Sequence, residues 1–162
     1  MNNHDEKFVN PQILVLVLSK MLDKTVVRAD YQLKELQGGT LGVVRLVTGM
    51  TETSDGESLP YKVVWKTQKK WERHGDPDSW RREYDLYISD FAKFFTDSLR
   101  WPECYYGEMN GDEIQLWMEH IEGVSGLNLT PEMYERAAEE LGRFQGKLYA
   151  KQSDVSLNLI NV

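Results

Sequence analysis

The 162-residue chain has one cysteine, three histidines and no long apolar run, and each shortage excludes a class of protein. With Cys104 alone, no internal disulfide can form. The scattered His4, His74 and His120 match no spacing that is typical of a metal site. The longest early apolar run, residues 13–18, is too short for a signal peptide or a membrane span. We therefore expect a cytoplasmic protein with no membrane partner.

Positive charge is also scarce, because 19 Lys and Arg residues stand against 26 Asp and Glu residues, a formal net charge of −7. This balance argues against nucleic acid as the main partner, since a phosphate backbone requires a basic face. With 41% hydrophobic and 11% aromatic residues, the chain has enough apolar side chains to form a packed core, and we expect one. The length fits one ordinary domain, or one small lobe with part of another.

Three helices are predicted from apolar residues that recur at three- and four-residue steps. The first covers residues 11–22, with Pro11 in its first turn, and the second covers about 79–95. Thr130 is expected to cap the third, which carries an apolar stripe. That stripe contains Met133, Ala137, Leu141, Phe144 and Leu148.

Alternating β-branched residues predict five strands. The first is expected around residues 31–36, and the second begins at residue 43. Asp55-Gly56 is a hairpin signal between the second and third strands, and Asn110-Gly111 is the turn between the last two. The order of elements predicts an α+β fold, a mainly antiparallel five-stranded sheet with one packed helix.

The third strand, "YKVVWKTQ", carries the first candidate for a functional side chain. Its period of two places Val64 and Lys66 on the face opposite to Trp65. Lys66 is either an exposed charge at a sheet edge or a buried cation with a dedicated partner. Glu83 offers such a partner, because it shares the aromatic stripe of the second helix, where an unpaired carboxylate is costly. The alternative is a glutamate at the edge of an amphipathic face.

A glycine-rich loop, "QGGTLG", precedes the second strand. It is either an ordinary loop that leads into a hairpin or a loop whose glycines carry no side chain, so that phosphate oxygens can approach the backbone. Its glycines are Gly38, Gly39 and Gly42, with Thr40 between them. The loop does not decide between these alternatives without its neighbours.

A glycine-rich loop, a lysine on the third strand and a glutamate on the following helix together resemble the small lobe of a kinase. The segment "VVWK" resembles V-A-I-K, and "RREYDLY" resembles the R-E-x-x-x-Y helix. "LWMEHIEG" resembles the hinge, and "AAEELGRFQGKLYA" the helix that follows it. The glycine loop departs from the protein-kinase pattern at Gln37 and is closer to that of the aminoglycoside phosphotransferase and choline-kinase-like family.

The resemblance implies roles for particular residues. Lys66 would contact the α- and β-phosphates of ATP, and Glu83 would orient Lys66. The glycine loop would cover the phosphates. Val44 and Val64 would lie above the adenine and Met118 behind it, with the backbones of Glu119 and Ile121 at its edge. Without the resemblance, "LWMEHIEG" is interpreted as an ordinary core strand that is followed by polar residues.

The resemblance also implies a large lobe, in which a loop reading H-G-D-x-H-x-x-N and a later Asp supply the base and the Mg²⁺ ligands. No such loop follows residue 150 here. His74-Gly75-Asp76 lies on the wrong side of the nucleotide site in chain order and is expected to lead into a helix, with Asp78 or Ser79 as its N-cap. We therefore expect an N-terminal piece of a longer enzyme, as a cut or a natural truncation, that is inactive alone.

On this interpretation the chain has three parts: a helical extension over residues 1–24, a nucleotide-binding lobe over 25–124, and the start of a second lobe over 125–162. The partners would be ATP and a small-molecule acceptor such as an aminoglycoside, choline, methylthioribose or homoserine. The uncovered lobe surface could form a homodimer. Two alternatives stay open, a non-catalytic α+β interaction module and a relative of the protein kinases.

Overall fold

Six strand segments form one antiparallel sheet in the computed structural model, which describes residues 8–36, 42–96, 98–124 and 126–150. The sheet order is β1-β3-β4-β6-β5, and β2 also pairs with β3. The segments are β1 (Val26–Ala29), β2 (Gln32–Leu36), β3 (Val43–Thr53), β4 (Ser58–Lys69), β5 (Cys104–Asn110) and β6 (Glu113–Glu119). This architecture confirms the α+β class and the mainly antiparallel sheet.

The first predicted strand, around residues 31–36, is present as β2, and β1 is an additional segment that the sequence did not predict, so six segments are present where five were expected. Asp30 and Tyr31 separate β1 from β2. Asp30 stays bound to β3, because its amide donates to the Met50 carbonyl at 3.1 Å and its Oδ1 accepts from the Met50 amide at 2.9 Å. The side chain of Asp30 thus replaces part of the strand ladder at this point.

Helix α1 (Pro11–Leu22) begins and ends where the sequence predicts. Asn10 caps its start, with Oδ1 accepting from the amides of Gln12 at 2.9 Å and Ile13 at 3.4 Å. Asp23, in the left-handed conformation with φ 50°, ends it. The apolar side of α1 lies on one face of the sheet, and the core there contains Leu14, Val17, Leu18, Val47, Tyr61, Val63, Trp65 and Trp117.

Two compact units divide the chain. The first unit, called the sheet unit below, contains Met1–Lys69 and Glu103–His120, and so holds α1 with all six strands. The second contains Lys70–Pro102 and Ile121–Val162. The division into parts at residues 24 and 124 stays a prediction.

The second unit shows that the predicted helix over 79–95 is wrong. The segment forms a 3₁₀ turn (Ser79–Arg81), helix α2 (Arg82–Ile88) and a second 3₁₀ turn (Phe91–Phe94). Ser89 interrupts it, because its backbone is extended and its hydroxyl donates to the Leu86 carbonyl and accepts from the Phe91 amide. Asp78 holds the predicted N-cap position, but its side chain makes no capping hydrogen bond.

Helix α3 (Pro131–Ala150) confirms the third predicted helix, and its start is capped by Thr130, whose Oγ1 accepts from the Met133 amide at 3.4 Å. Phe144 from its apolar stripe stacks on Phe95, with ring centroids 5.1 Å apart. Met133 and Leu141, from the same stripe, are 42% and 48% exposed. Within the described ranges, no helix is long and apolar enough to cross a membrane.

The β3–β4 turn is held by charge. Lys24 Nζ donates to Asp55 Oδ2 at 3.2 Å and to Glu57 Oε2 at 2.6 Å, and the Thr53 hydroxyl donates to Asp55 Oδ1. The Thr53 hydrogen bond, followed by the one from Lys24, lowers the pKa of Asp55 from 3.8 to about 2.

A lowered pKa in the folded state makes this turn sensitive to acid. The contribution of Asp55 to stability is complete above its unfolded pKa of about 3.9 and is lost as the pH falls toward 2. Carboxyl NMR titration should therefore place Asp55 well below its ordinary pKa in the unchanged protein and return it toward that value in Thr53→Val. An ordinary pKa for Asp55 in the unchanged protein would show that the turn is not held in this way.

Candidate functional site

The sheet face opposite to α1 brings together most of the predicted site residues of the sheet unit. We call it the second face. Val44, Lys66 and Leu116 lie opposite one another on β3, β4 and β6, and the next row contains Leu46, Val64 and Met118. Residues two apart on a strand share a face, so both rows lie on the same side. The second face therefore places one lysine beside aliphatic side chains.

Lys66 lies on a central strand, because β4 pairs with β3 on one side and β6 on the other. It is therefore not a charge at a sheet edge. Its side chain is half-buried, Leu116 is buried, and Met118 is 8% exposed. A lysine among such neighbours can bury its methylene stem and present its ammonium group at the margin of the apolar surface. An ammonium group so placed could bind an anion.

Gly42 has a structural reason for lacking a side chain. A Cβ atom there would lie 2.7 Å from the carbonyl oxygen of Thr67 on β4, which is too close for any real contact. Gly42 thus permits the close approach of the start of β3 to β4. Gly38, Gly39 and Thr40 lie outside the described residues, so their predicted phosphate contact stays a prediction.

Glu119 ends β6, and its backbone is partly engaged. Its amide donates to the Glu103 carbonyl at 2.8 Å, and its side-chain Oε2 accepts from the Glu103 amide at 3.1 Å. A contact between the Glu119 backbone and a ligand would therefore have to use the carbonyl oxygen. Ile121, the other predicted backbone contact, belongs to the second unit and is half exposed.

Glu83 lies in the first turn of α2 and is half-buried. Beside it Arg81 forms a bidentate ion pair with Asp85, in which Arg81 Nε lies 2.8 Å from Oδ2 and Nη2 lies 3.0 Å from Oδ1. Glu83 belongs to the second unit and Lys66 to the sheet unit. The contact between Lys66 and Glu83 stays a prediction of the sequence.

His74 and Asp76 lie in the loop before the first 3₁₀ turn, as expected for a segment that leads into a helix. The Asp76 carboxylate accepts a hydrogen bond from the Arg82 guanidinium, and its carbonyl accepts one from the Ser79 hydroxyl at 3.0 Å. These contacts give Asp76 a role in tethering the loop. In the described ranges, no group of three or more His, Cys, Asp or Glu residues is placed to hold a metal ion.

The structure also contains a polar network on the α1 side of the sheet that the sequence did not predict. Gln115 Oε1 accepts from the indole Nε1 atoms of Trp65 and Trp117, each at 3.2 Å. Gln115 Nε2 donates to Glu108 Oε2 at 2.5 Å. The alternation of Gln115 and Trp117 on β6 was the available signal, because a glutamine on a tryptophan-rich face requires partners.

Three comparisons with known proteins add no family to these observations. The scan against protein-family models, the search of curated proteins and the search of solved structures each found no match.

Proposed function

We propose that the second face of the sheet binds the nucleotide of an ATP-dependent phosphotransferase that acts on a small-molecule hydroxyl. The observation that carries the proposal is the position of Lys66 on a central strand, with Val44 opposite it and Val64 and Met118 in the neighbouring row. A nucleotide has a phosphate chain and a planar base, and it requires a binding site with a cation for the phosphates beside a flat aliphatic surface for the base.

The chemistry of each group fits this ligand. The Lys66 ammonium can donate charge-assisted hydrogen bonds to phosphate oxygens. The aliphatic side chains of Val44 and Val64 can contact one face of adenine, with Met118 behind it, and the carbonyl of Glu119 can accept from its amino group. Glu83 would hold the lysine in place, as the resemblance implies.

Mg²⁺ would accompany the phosphates of ATP, with ligands that the resemblance assigns to a catalytic loop beyond the motifs present here. Positioning and charge neutralisation account for most of the rate of phosphoryl transfer. The residues named here would bind and orient the nucleotide, and the acceptor class rests on the resemblance alone.

Substituting Lys66 tests the proposal. Lys66→Met keeps the methylene stem and removes the charge, so MgATP affinity should fall at least about tenfold, which corresponds to about 1.4 kcal/mol. Lys62→Met is the matched control, because Lys62 lies on the same face of β4 but four residues away and is exposed. Isothermal titration calorimetry with MgATP measures both variants.

The control must bind MgATP as the unchanged protein does, and both variants must keep the melting temperature within a few degrees. Equal affinities for Lys66→Met and the unchanged protein would remove the enzyme interpretation. Absence of any MgATP binding by the unchanged protein would favour the non-catalytic interaction module.

A further inference from the structure

A cavity of about 460 Å³ opens on the side of the sheet that carries α1, away from the second face. Its polar wall contains Asn10, Thr67, Glu108, Asn110, Glu113 and Gln115, and its apolar wall contains Phe8, Ile13 and Trp65. All of these residues belong to the sheet unit. The volume is at the lower end of the range for small-molecule sites, so it suits a small ligand.

From this cavity we infer a second binding site, for a small organic cation that carries a primary ammonium group and a short apolar chain. Nothing in the proposed nucleotide site requires this cavity, so the inference stands apart from the proposed function.

Two carboxylates supply the charge for such a ligand. Glu108 lies opposite Gln115 in the pairing of β5 with β6, and Glu113 precedes Gln115 by two residues on the same face. Diagonal neighbours of this kind lie about 7–8 Å apart, so both carboxylates can reach one ammonium group placed between them. Charge-assisted hydrogen bonds of this type are among the strong ones in proteins.

The carboxylate of Glu108 is held in position before any ligand arrives. Gln115 donates to Glu108 Oε2, and the orientation of the Gln115 amide is itself fixed, because its oxygen accepts from the indoles of Trp65 and Trp117. Trp117 is 1% exposed and stacks on Trp65 with ring centroids 5.2 Å apart. A rigid acceptor loses little conformational freedom when a ligand binds.

Two basic side chains, Arg45 and Lys69, lie near the cavity, and each already has a contact of its own. Among the described residues, no basic side chain lines the cavity. The Arg45 guanidinium lies over the Trp65 ring and donates to the Thr67 hydroxyl. Lys69 Nζ lies 3.5 Å from Glu113 Oε1 in an exposed ion pair. Exposed pairs of this kind contribute little, so a ligand can displace Lys69.

The start of α1 adds only a partial charge of about +0.5, and the Asn10 side chain already accepts from two of its amides. Two full negative charges on the wall outweigh it.

Other ligand classes fit less well. A sugar that stacks on tryptophan requires an open ring face, but Trp65 is flanked by Arg45 from β3 and by Trp117 from β6. A metal ion requires more ligands than two carboxylates, and the described residues contain no cluster of three or more metal-binding side chains. An ammonium group with a short chain uses both the acidic and the apolar wall.

The test is an NMR titration of the full chain with n-butylammonium, followed at the indole Nε1–H signals of Trp65 and Trp117. We expect saturable shifts of both signals. Because Glu108→Gln removes the carboxylate charge that Gln115 holds in place, it should weaken binding at least about tenfold, whereas Glu113→Gln, at a partly exposed carboxylate, should weaken binding by a smaller but measurable factor. Glu52→Gln is the control of equal charge change, since Glu52 is exposed on β3 and does not line the cavity, and its affinity should match that of the unchanged protein.

Two results would overturn the inference. If n-butanol, which is neutral and of similar size, shifts the same signals with equal affinity, the carboxylates do not select a cation. If n-butylammonium gives no saturable shift at any concentration that leaves the protein folded, the cavity is not a cation site. Glu113 is partly exposed, so Glu113→Gln keeps the test valid if Glu108→Gln fails to fold.

Discussion

Replacing Trp117 by alanine is expected to lower the free energy of unfolding by about 3–5 kcal/mol. Trp117 is almost completely buried, in a core formed by α1 and one face of the sheet. The substitution removes the stacking on Trp65 and the indole hydrogen bond to Gln115, and it leaves a large cavity. Several losses at one position make this the most destabilising single substitution that we expect in the sheet unit.

Urea denaturation of Trp117→Ala, followed by far-UV circular dichroism, measures this effect as a change in midpoint at constant slope. Trp117→Phe is the matched control, because it keeps an aromatic ring in the stack and should cost clearly less than alanine. A loss below about 1 kcal/mol in the alanine variant would contradict the central position of Trp117 in the core.

Replacing Gly49 by alanine is expected to destabilise the same unit by about 1–3 kcal/mol or more. A Cβ atom at Gly49 would lie 2.3 Å from the Asp30 carbonyl oxygen and 2.5 Å from its Oδ1. Backbone and side chain of Asp30 would both have to move, although both are bound to Met50 and the Tyr61 hydroxyl donates to the Asp30 carbonyl at 2.6 Å. The substitution therefore disrupts the hydrogen bonds by which Asp30, between β1 and β2, is held to β3.

Gly123→Ala is the control for Gly49→Ala, because a Cβ atom at Gly123 meets nothing within 4 Å. Thermal unfolding should show a clearly lower melting temperature for Gly49→Ala and almost no change for Gly123→Ala. Equal melting temperatures for both variants would mean that the Asp30 segment moves aside at little cost.

Much of the fold was predictable because local signals agreed with the packing. Pro11 in its first turn and the apolar positions of the segment defined α1 to within a residue, and the Asp55-Gly56 and Asn110-Gly111 turns fixed two hairpins. The period of two in β4 correctly placed the buried Trp65 on the face opposite to Val64 and Lys66. In these segments, short-range chemistry and burial favoured the same structure.

The second helix was mispredicted because aromatic spacing continued through a break in the backbone. Phe91 and Phe95 keep the helical interval from Tyr87, yet Ser89 is extended, so the residues after it form a separate turn. The aromatic side chains still meet, with Phe95 and Trp101 ring centroids 4.7 Å apart. A shared cluster can preserve spacing without one continuous helix, and Ser89-Asp90 was the local signal of the interruption.

The positions of the candidate site residues were predictable only where the alternation of side chains along one strand determines which face of the sheet they occupy. Val64 and Lys66 follow from the period of two, but their alignment with Val44 and Met118 depends on register between strands, which the sequence does not encode locally. The sequence left two explanations for Gly42 open, and the 2.7 Å separation between a Cβ atom there and the Thr67 carbonyl oxygen adds a strand-packing reason for glycine that the sequence did not predict. The Gln115 network was missed because its partners come from three strands.

The central claim, that the second face of the sheet binds a nucleotide, is tested most directly by intermolecular nuclear Overhauser effects between MgATP and the full chain. We predict contacts from the adenine H2 and H8 protons to the methyl groups of Val44, Val64 and Met118, which lie in adjoining rows of that face. Contacts only to side chains on the α1 side, such as Ile13 or Trp65, or no contacts at all, would contradict the account.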